Sequence, residues 1–413
     1  MSHYRWLRIV CVTLFLWIVT GDVVNVSCFA GTLNDWTTPD LTVPSSANTS
    51  WDLPRPAGNP LLDTRDSPLP TTGSDSASGE LREIGRIYNQ AQKVKWLDKE
   101  LFAVGRWDGT LTIFRAPLVA GSGGPRIVQS MTAPAATPLE MIDMLPPKWL
   151  VTSNTTGSIA VWTSERGSFQ LKRIIRYPDQ AGEFNSGAWV QQGKQAWYVS
   201  GHANGRLIRW RIDERSYLVP EGMIDIRSPD PIHSPYPIKN IRGVVHWRNG
   251  IVITGAEDGD LCLVDIVAGK VIFRMRYNPT AQRGINGLAL SGELLLVTNC
   301  VVGASEHNLW LYRLATGRIA LLDSMYVVTD SALSDIFSMD SILVPNEDGR
   351  YRFLVSTGEG LLWHGRIDHD KLQPVGYRIT GHTGVAPVIN YQPDRHLAAV
   401  ADFDIRTFDW PSP

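Results

Sequence analysis

The sequence predicts an all-β fold, a seven-bladed β-propeller of four-stranded antiparallel blades whose ring is closed by an N-terminal strand pairing with the C-terminal blade. Three observations predict it. A tight turn followed by a short alternating strand returns seven times between Trp107 and Asp409. The turn positions, at residues 109, 157, 205, 259, 307, 360 and 403, are separated by 48, 48, 54, 48, 53 and 43 residues, the length of one four-stranded blade. The last return, Gly381 to Trp410, stops after three strands, and the strand-like run Glu80 to Asn89 precedes the first.

The chain begins with the grammar of an export signal. Arg5 and Arg8 precede Ile9–Val19, an uncharged apolar run of 11 residues that is too short to span a bilayer as a helix. Small residues place the expected cut after Gly21 or after Ala30. Two alternatives stand beside it: Asn25-Val26-Ser27-Cys28 resembles a lipoprotein processing site, and the segment uncleaved would be a membrane anchor. Residues 31–79 are rich in Pro, Ser, Thr, Gly and Asp, which bury too little to offset chain entropy, so a flexible linker is expected. The domain organisation is therefore a signal over 1–30, a linker over 31–79 and a propeller over 80–413. The expected location is exported, periplasmic or secreted, with an N-terminal membrane tether as the alternative.

Within the propeller, each strand ahead of a turn is apolar at both alternating positions: LFAVG, WLVTS, AWYVSG, IVITG, LLLVTN, RFLVST and HLAAVA. Burial on both faces follows, as for a strand sandwiched between neighbouring blades. Asp108-Gly109, Asn204-Gly205 and Asp258-Gly259 supply the positive φ that a two-residue hairpin turn demands. The strand after each turn ends in a bulky slot occupied by Phe114, Trp162, Trp210, Val264, Tyr312, Gly365 and Phe408. Turns at 265–270 and 313–318 then lead into the outer strands KVIFRMRY and RIALLDSM. Because the last repeat lacks a strand, Glu80 to Asn89 is expected to complete it and remove an open edge.

Gly381-His382, the Pro393-Asp394 turn, the acidic turn at Asp402 and the closing Phe408-Asp409 together resemble the WD-repeat (WD40) family. The resemblance covers roughly residues 80–410. It implies a propeller closed by its N-terminal strand, with an aromatic residue ending the third strand of each blade. It further implies a non-enzymatic scaffold for protein–protein interaction. The family's His-Ser/Thr-Asp-Trp tetrad is largely absent from the repeats, and Ala399 replaces the hydroxyl residue in the last one.

Chemistry is sparse. The sequence holds no Gly-x-Ser-x-Gly elbow, Walker loop, Cys-x-x-Cys-His or His-Glu-x-x-His motif. Glu257/Asp258/Asp260 and Asp402/Asp404 read as turn carboxylates rather than calcium ligands, Asp368-His369-Asp370 as an exposed turn, and Ser305/His307 as a loop. His364 reads as a core histidine, and Cys262 and Cys300 as buried small hydrophobes. No cofactor, metal or catalytic residue is expected. An enzyme or cofactor carrier with its site in the central channel is the alternative, since fold alone does not decide function. The 39 Lys and Arg against 41 Asp and Glu leave no electrostatic footprint for nucleic acid.

The expected partner is a protein. In a propeller, turns between the second and third strands emerge on the same face as the loops linking successive blades. Arg106 and Trp107, in such a turn, have the composition of an interface anchor. The connector Ser228 to Asn240, SPDPIHSPYPIKN, is stiffened by prolines and displays His233 and Tyr236. With His202, these residues form the candidate partner-binding set.

Overall fold

The computed structural model describes residues 81–411 except 118–123, 134–136, 147, 166, 177–182, 216, 228–239, 278–283, 300–306, 328–336, 347 and 380–387. The expected signal and linker lie outside the described residues, as do His233, Tyr236, Cys300, Ser305 and His382.

Blade 1 takes the second half of β1 (Arg82–Trp96) with β2 (Leu101–Arg106), β3 (Thr110–Arg115) and β4 (Arg126–Thr132). Blade 2 holds β5 (Leu139–Leu145), β6 (Trp149–Asn154), β7 (Ser158–Glu165) and β8 (Ser168–Arg176). Blade 3 holds β9 (Phe184–Gln192), β10 (Gln195–His202), β11 (Arg206–Asp213) and β12 (Tyr217–Asp225). Blade 4 follows with β13 (Ile241–Arg248), β14 (Ile251–Ala256), β15 (Asp260–Asp265) and β16 (Lys270–Arg276). Blade 5 is β17 (Ile285–Ser291), β18 (Leu294–Asn299), β19 (Leu309–Ala315) and β20 (Arg318–Met325). Blade 6 is β21 (Ser338–Pro345), β22 (Tyr351–Thr357), β23 (Leu361–Asp368) and β24 (Lys371–Ile379). The seventh combines β25 (Val388–Gln392) and β26 (Leu397–Asp409) with the first half of β1. Each inner strand meets the inner strand of the next blade, and β25 meets β1, so the ring closes.

Closure occurs where the sequence places it. Arg82 to Ala91 pair with Asp409 back to Phe403, and Ala91 to Trp96 pair with β2, so one strand is the outer strand of blade 7 and the inner strand of blade 1. β26 supplies two strands in turn. Its first residues pair with β25 and its last with β1, while the Trp410 N–H donates to the His396 carbonyl at 2.8 Å. A straight strand of that length would hold those two residues about 45 Å apart. The chain must therefore double back near Asp402.

The second strands are buried on both faces as expected, completely so in β6 and β18. Their side chains join those of the neighbouring blade: Met141, Val151 and Ile159 of blade 2 share one cluster with Phe184, Tyr198 and Trp210 of blade 3. The bulky slot is buried in every blade that fills it, with Phe114, Val264, Tyr312 and Phe408 fully enclosed. Gly365 is the exception that keeps the volume constant. Its ladder partner Phe353 lies across it, and a Cβ at Gly365 would stand 2.3 Å from Phe353 Cζ. The aromatic ring of blade 6 has moved one strand inward.

The tight turns differ from the two-residue expectation. In blade 1 the last ladder pair is Gly105 with Leu111, and the Gly109 N–H donates to the Arg106 carbonyl at 3.1 Å across Trp107 and Asp108. Only the glycine takes a positive φ, 80° at Gly109. The same bond recurs from Gly205 to His202, Gly259 to Ala256 and Gly360 to Thr357. A β-turn followed by one left-handed glycine therefore joins these strands, with Asp108 accepting the Thr110 N–H at 2.9 Å.

Candidate interaction face

Backbone bonds show which loops share a face. The residue leaving the outer strand bonds to the turn glycine of its own blade: Ala133 to Gly109, Ile226 to Gly205 and Tyr277 to Gly259. The residue arriving at the next inner strand is then caught by the next tight turn, through Ala203 to Glu183, Glu257 to Asn240 and Gly358 to Phe337. Tight turns and inter-blade connectors thus lie together on one connector face.

Trp107 occupies the first corner of the blade 1 turn and is half-buried. Arg106 beside it pairs with Asp108 at 3.3 Å across the same turn. Both residues are therefore on the connector face and partly open to solvent, held by a turn whose backbone is fixed at Gly109. His233 and Tyr236 fall in the connector outside the described residues. Asn240, where that connector ends, is buried and receives an amide bond from Asn185 at 2.7 Å.

His202 is placed elsewhere. Its ring is fully buried, stacks on Phe184 with centroids 5.4 Å apart, and shares a 2.7 Å hydrogen bond through Nε2 with Ser200 Oγ. Trp210 Nε1 donates to the same hydroxyl at 2.7 Å. With no surface to offer, His202 leaves the partner-contacting set and becomes an internal brace of the turn that follows it. Blade 2 repeats half of this arrangement, Trp162 Nε1 donating to Thr152 Oγ1 at 3.1 Å. The same bond from a third-strand Trp to a second-strand hydroxyl is thus present in these two blades. The Ser/Thr-to-Trp separation of 10 residues in each is the sequence signal that would have located it.

No family model matches the sequence, and no curated protein matches it. Solved structures do. The β-propeller domain of Cps50 (Swd1) from Myceliophteria thermophila aligns with a TM-score of 0.60 at 14% identity, over 80% of this chain and 99% of that chain. The WD40 domain of Pan2 from Neurospora crassa aligns with a TM-score of 0.58 at 10% identity, over 82% of this chain and 98% of that one. The chain is a seven-bladed β-propeller with WD40 structural neighbours. At such identities the likeness shows the fold.

Polar side chains stitch the inner strands of successive blades together. In six blades the register between inner and second strand slips just after the first pair, leaving Gln92, Glu140, Asn185, Arg242, Asn286 and, together with Met339, Asp340 unpaired. Bulges re-aim side chains. Most of these reach the next blade: Gln92 to Glu140 at 3.4 Å, Asn185 to Asn240, Asn286 to the Ser338 carbonyl at 2.7 Å, and Asp340 to the Ile389 N–H at 2.9 Å. Arg242 instead pairs with Glu257 of its own tight turn. Farther along the inner strands, Lys95 pairs with Asp143 at 2.7 Å, and Asp143 accepts the Tyr198 hydroxyl at 3.3 Å. Burial, then the Asp143 charge, raises the Tyr198 pKa well above its ordinary value. Burial likewise raises the Asp340 carboxyl, against the opposing pull of two backbone N–H donors and of Lys93 and Lys95.

Three of the turn carboxylates, Glu257, Asp260 and Asp404, are engaged by arginines. Asp260 pairs with Arg274 at 2.6 Å, and Asp404 with Arg86 and Arg406. Among the described residues, no group of three or more His, Cys, Asp or Glu could hold a metal ion. His364 is buried in blade 6, where desolvation, Arg378 and Arg352 lower its pKa to about 4. Cys262 is enclosed as expected, and burial pushes its thiol up to about 12. His369 stands in an exposed turn. His307, also exposed, shares a 2.8 Å bond with Ser324.

Proposed function

We propose that this propeller is an exported, non-enzymatic scaffold that presents its connector face to a protein partner as part of an envelope-associated assembly. Residues 1–30 direct export or anchor the chain, and residues 31–79 tether the ring. The observation that carries the reading is the partly exposed Trp107, displayed with Arg106 on the face where the tight turns hold the inter-blade connectors. An aromatic and an arginine on a pre-fixed turn lose little ordering entropy on binding.

Site-specific photocrosslinking of the full chain in its host tests this. A crosslinker at Asp108, on the connector face, should capture a discrete protein that is lost when Trp107→Ala is added. The same crosslinker at Lys194, an exposed position in the turn at the other end of β10, should capture none. Equal capture from both sites, or capture indifferent to Trp107→Ala, removes the face from the proposal. Export is read separately: the mature N-terminus should begin after Gly21, Ala30 or a lipidated Cys28, or the uncleaved chain should fractionate with membranes. A soluble cytoplasmic chain that keeps Met1 removes that part.

A further inference from the structure

The circumference of the ring is uneven. Nine large hydrophobic side chains are exposed among the described residues, and four of them, Ile127 at 56%, Val128 at 45%, Leu171 at 41% and Ile174 at 49%, lie on the outer strands of blades 1 and 2. The charges there are as unbalanced. β3, β4, β7 and β8 carry Arg115, Arg126, Lys172, Arg173 and Arg176 against Glu165 as the single carboxylate. Glu165 is taken by Lys172. The four arginines make no ion pair with any described residue. Blade 3 shows the contrast: Arg206, Arg209 and Arg211 are matched by Asp225 and Glu221, with Arg211 and Glu221 3.0 Å apart. On blades 1 and 2, four arginines without an ion-pair partner among the described residues are interleaved with exposed apolar groups.

The strand that carries this composition also has a bonding edge. β8 is hydrogen-bonded on one side only, to β7. Across the gap between blades, the Gln129 side chain of β4 donates to the Phe169 carbonyl at 2.7 Å and accepts the Phe169 N–H at 2.8 Å. A primary amide bonded in this way imitates a peptide unit of an added strand. It shows that the outward N–H and C=O of β8 take an amide partner in extended geometry.

We propose that the edge of β8 is a docking strand for an extended acidic and apolar segment of a protein partner, which continues the sheet beyond the point capped by Gln129. Backbone bonds supply the register. The β7 ladder places Leu171 and Ile174 on one face of β8 and Arg173 on the other, so apolar side chains on one face of the segment cover Leu171 and Ile174 while carboxylates on its other face meet Arg173. A nucleic acid or an anionic lipid surface would use the charge and leave the strand edge unsatisfied. An extended peptide uses both. This surface lies on the rim rather than the connector face, so the proposal stands or falls separately from the one above.

The probe is a fluorescent eight-residue peptide of alternating Glu and Val, titrated with the full chain. It should bind, while an alternating Lys and Val peptide should not, and octaglutamate should bind at least fivefold more weakly. Arg173→Glu, at an exposed position, should weaken binding at least tenfold with an unchanged melting temperature, and Trp107→Ala should leave it alone. N-methylation of one alternate set of peptide residues should abolish binding, and methylation of the other set should spare it, a difference that only strand pairing produces and that needs no change in the protein. Charge reversal without effect, equal behaviour of the two methylated peptides, or phosphatidylserine vesicles competing as well as the unlabelled peptide would overturn the assignment.

Discussion

Removing residues 1–89 should destabilise the whole ring, whereas removing residues 1–76 should not. The longer truncation strips the outer strand from blade 7. Leu81 and Ile84 leave the core, where they are 0% and 8% exposed, and burial of two such side chains is worth roughly 3–6 kcal/mol. The ion pairs lost with the strand are unequal. Arg82 with Asp409 is exposed and worth little. Arg406 and Asp404, with side chains 8% and 3% exposed, lose Glu83 and Arg86 respectively. Each keeps the other as a partner at 3.7 Å, so this loss is smaller than the roughly 3–5 kcal/mol of a buried charge left wholly unpaired. The Arg378 bond to the Leu81 carbonyl also disappears. Together these losses rival the roughly 5–15 kcal/mol that separates a native domain from its unfolded chain. Urea denaturation followed by tryptophan fluorescence should show the shorter truncation unfolding at the full-length midpoint, and the longer one at a far lower midpoint or already unfolded. Leu81→Ala provides a graded version expected to cost about 2–5 kcal/mol. Coincident midpoints for the two truncations, with Leu81→Ala neutral, would refute closure by β1.

Two further outcomes follow from blade 6. Because the folded pKa of His364 is lowered to about 4, the unfolded chain binds the extra proton; its contribution is complete above the unfolded pKa near 6.5 and is lost as pH falls toward 4. Between pH 7 and pH 5 the chain should lose about 2 kcal/mol that a His364→Gln variant does not lose, read from urea midpoints at the two pH values. Gly365→Ala should destabilise by about 1–3 kcal/mol because the new methyl meets Phe353, and Phe353→Leu should recover part of that loss in the double variant. Additivity of the two substitutions would show that the ring does not fill the glycine slot.

The features legible in the sequence are those imposed by the local backbone. A left-handed residue after a β-turn admits glycine most readily, so Gly109, Gly157, Gly205, Gly259 and Gly360 mark the repeat whatever surrounds them. Double-faced burial marks the second strands for the same reason. Legibility fails where a role can be handed to another side chain. The ring of blade 6 comes from Phe353 instead of the third strand, a choice visible only once Gly365 is placed opposite it. The sequence places His202 among the candidate partner contacts, yet its ring is buried against Ser200 and Phe184. Charge on the rim was invisible for a different reason. The chain as a whole is nearly neutral, so an excess confined to two outer strands vanishes in the total.

The inner-strand bulges carry this logic further. One backbone irregularity recurs in the same place in six blades, while its polar occupant is Gln, Glu, Asn, Arg, Asn or Asp. The irregularity sets where the side chain starts, and the neighbouring blade sets what it must offer: an acceptor where the Ile389 N–H arrives, a donor where the Ser338 carbonyl waits. Each interface therefore selects its own residue, and repeats equivalent in space diverge in sequence at the positions that join them. The same reasoning bears on function. A ring of unlike groups, most of them bonded to the adjacent blade, holds neighbouring sheets in order, and the two proposed recognition surfaces, the connector face around Trp107 and the rim of β8, draw on none of these groups.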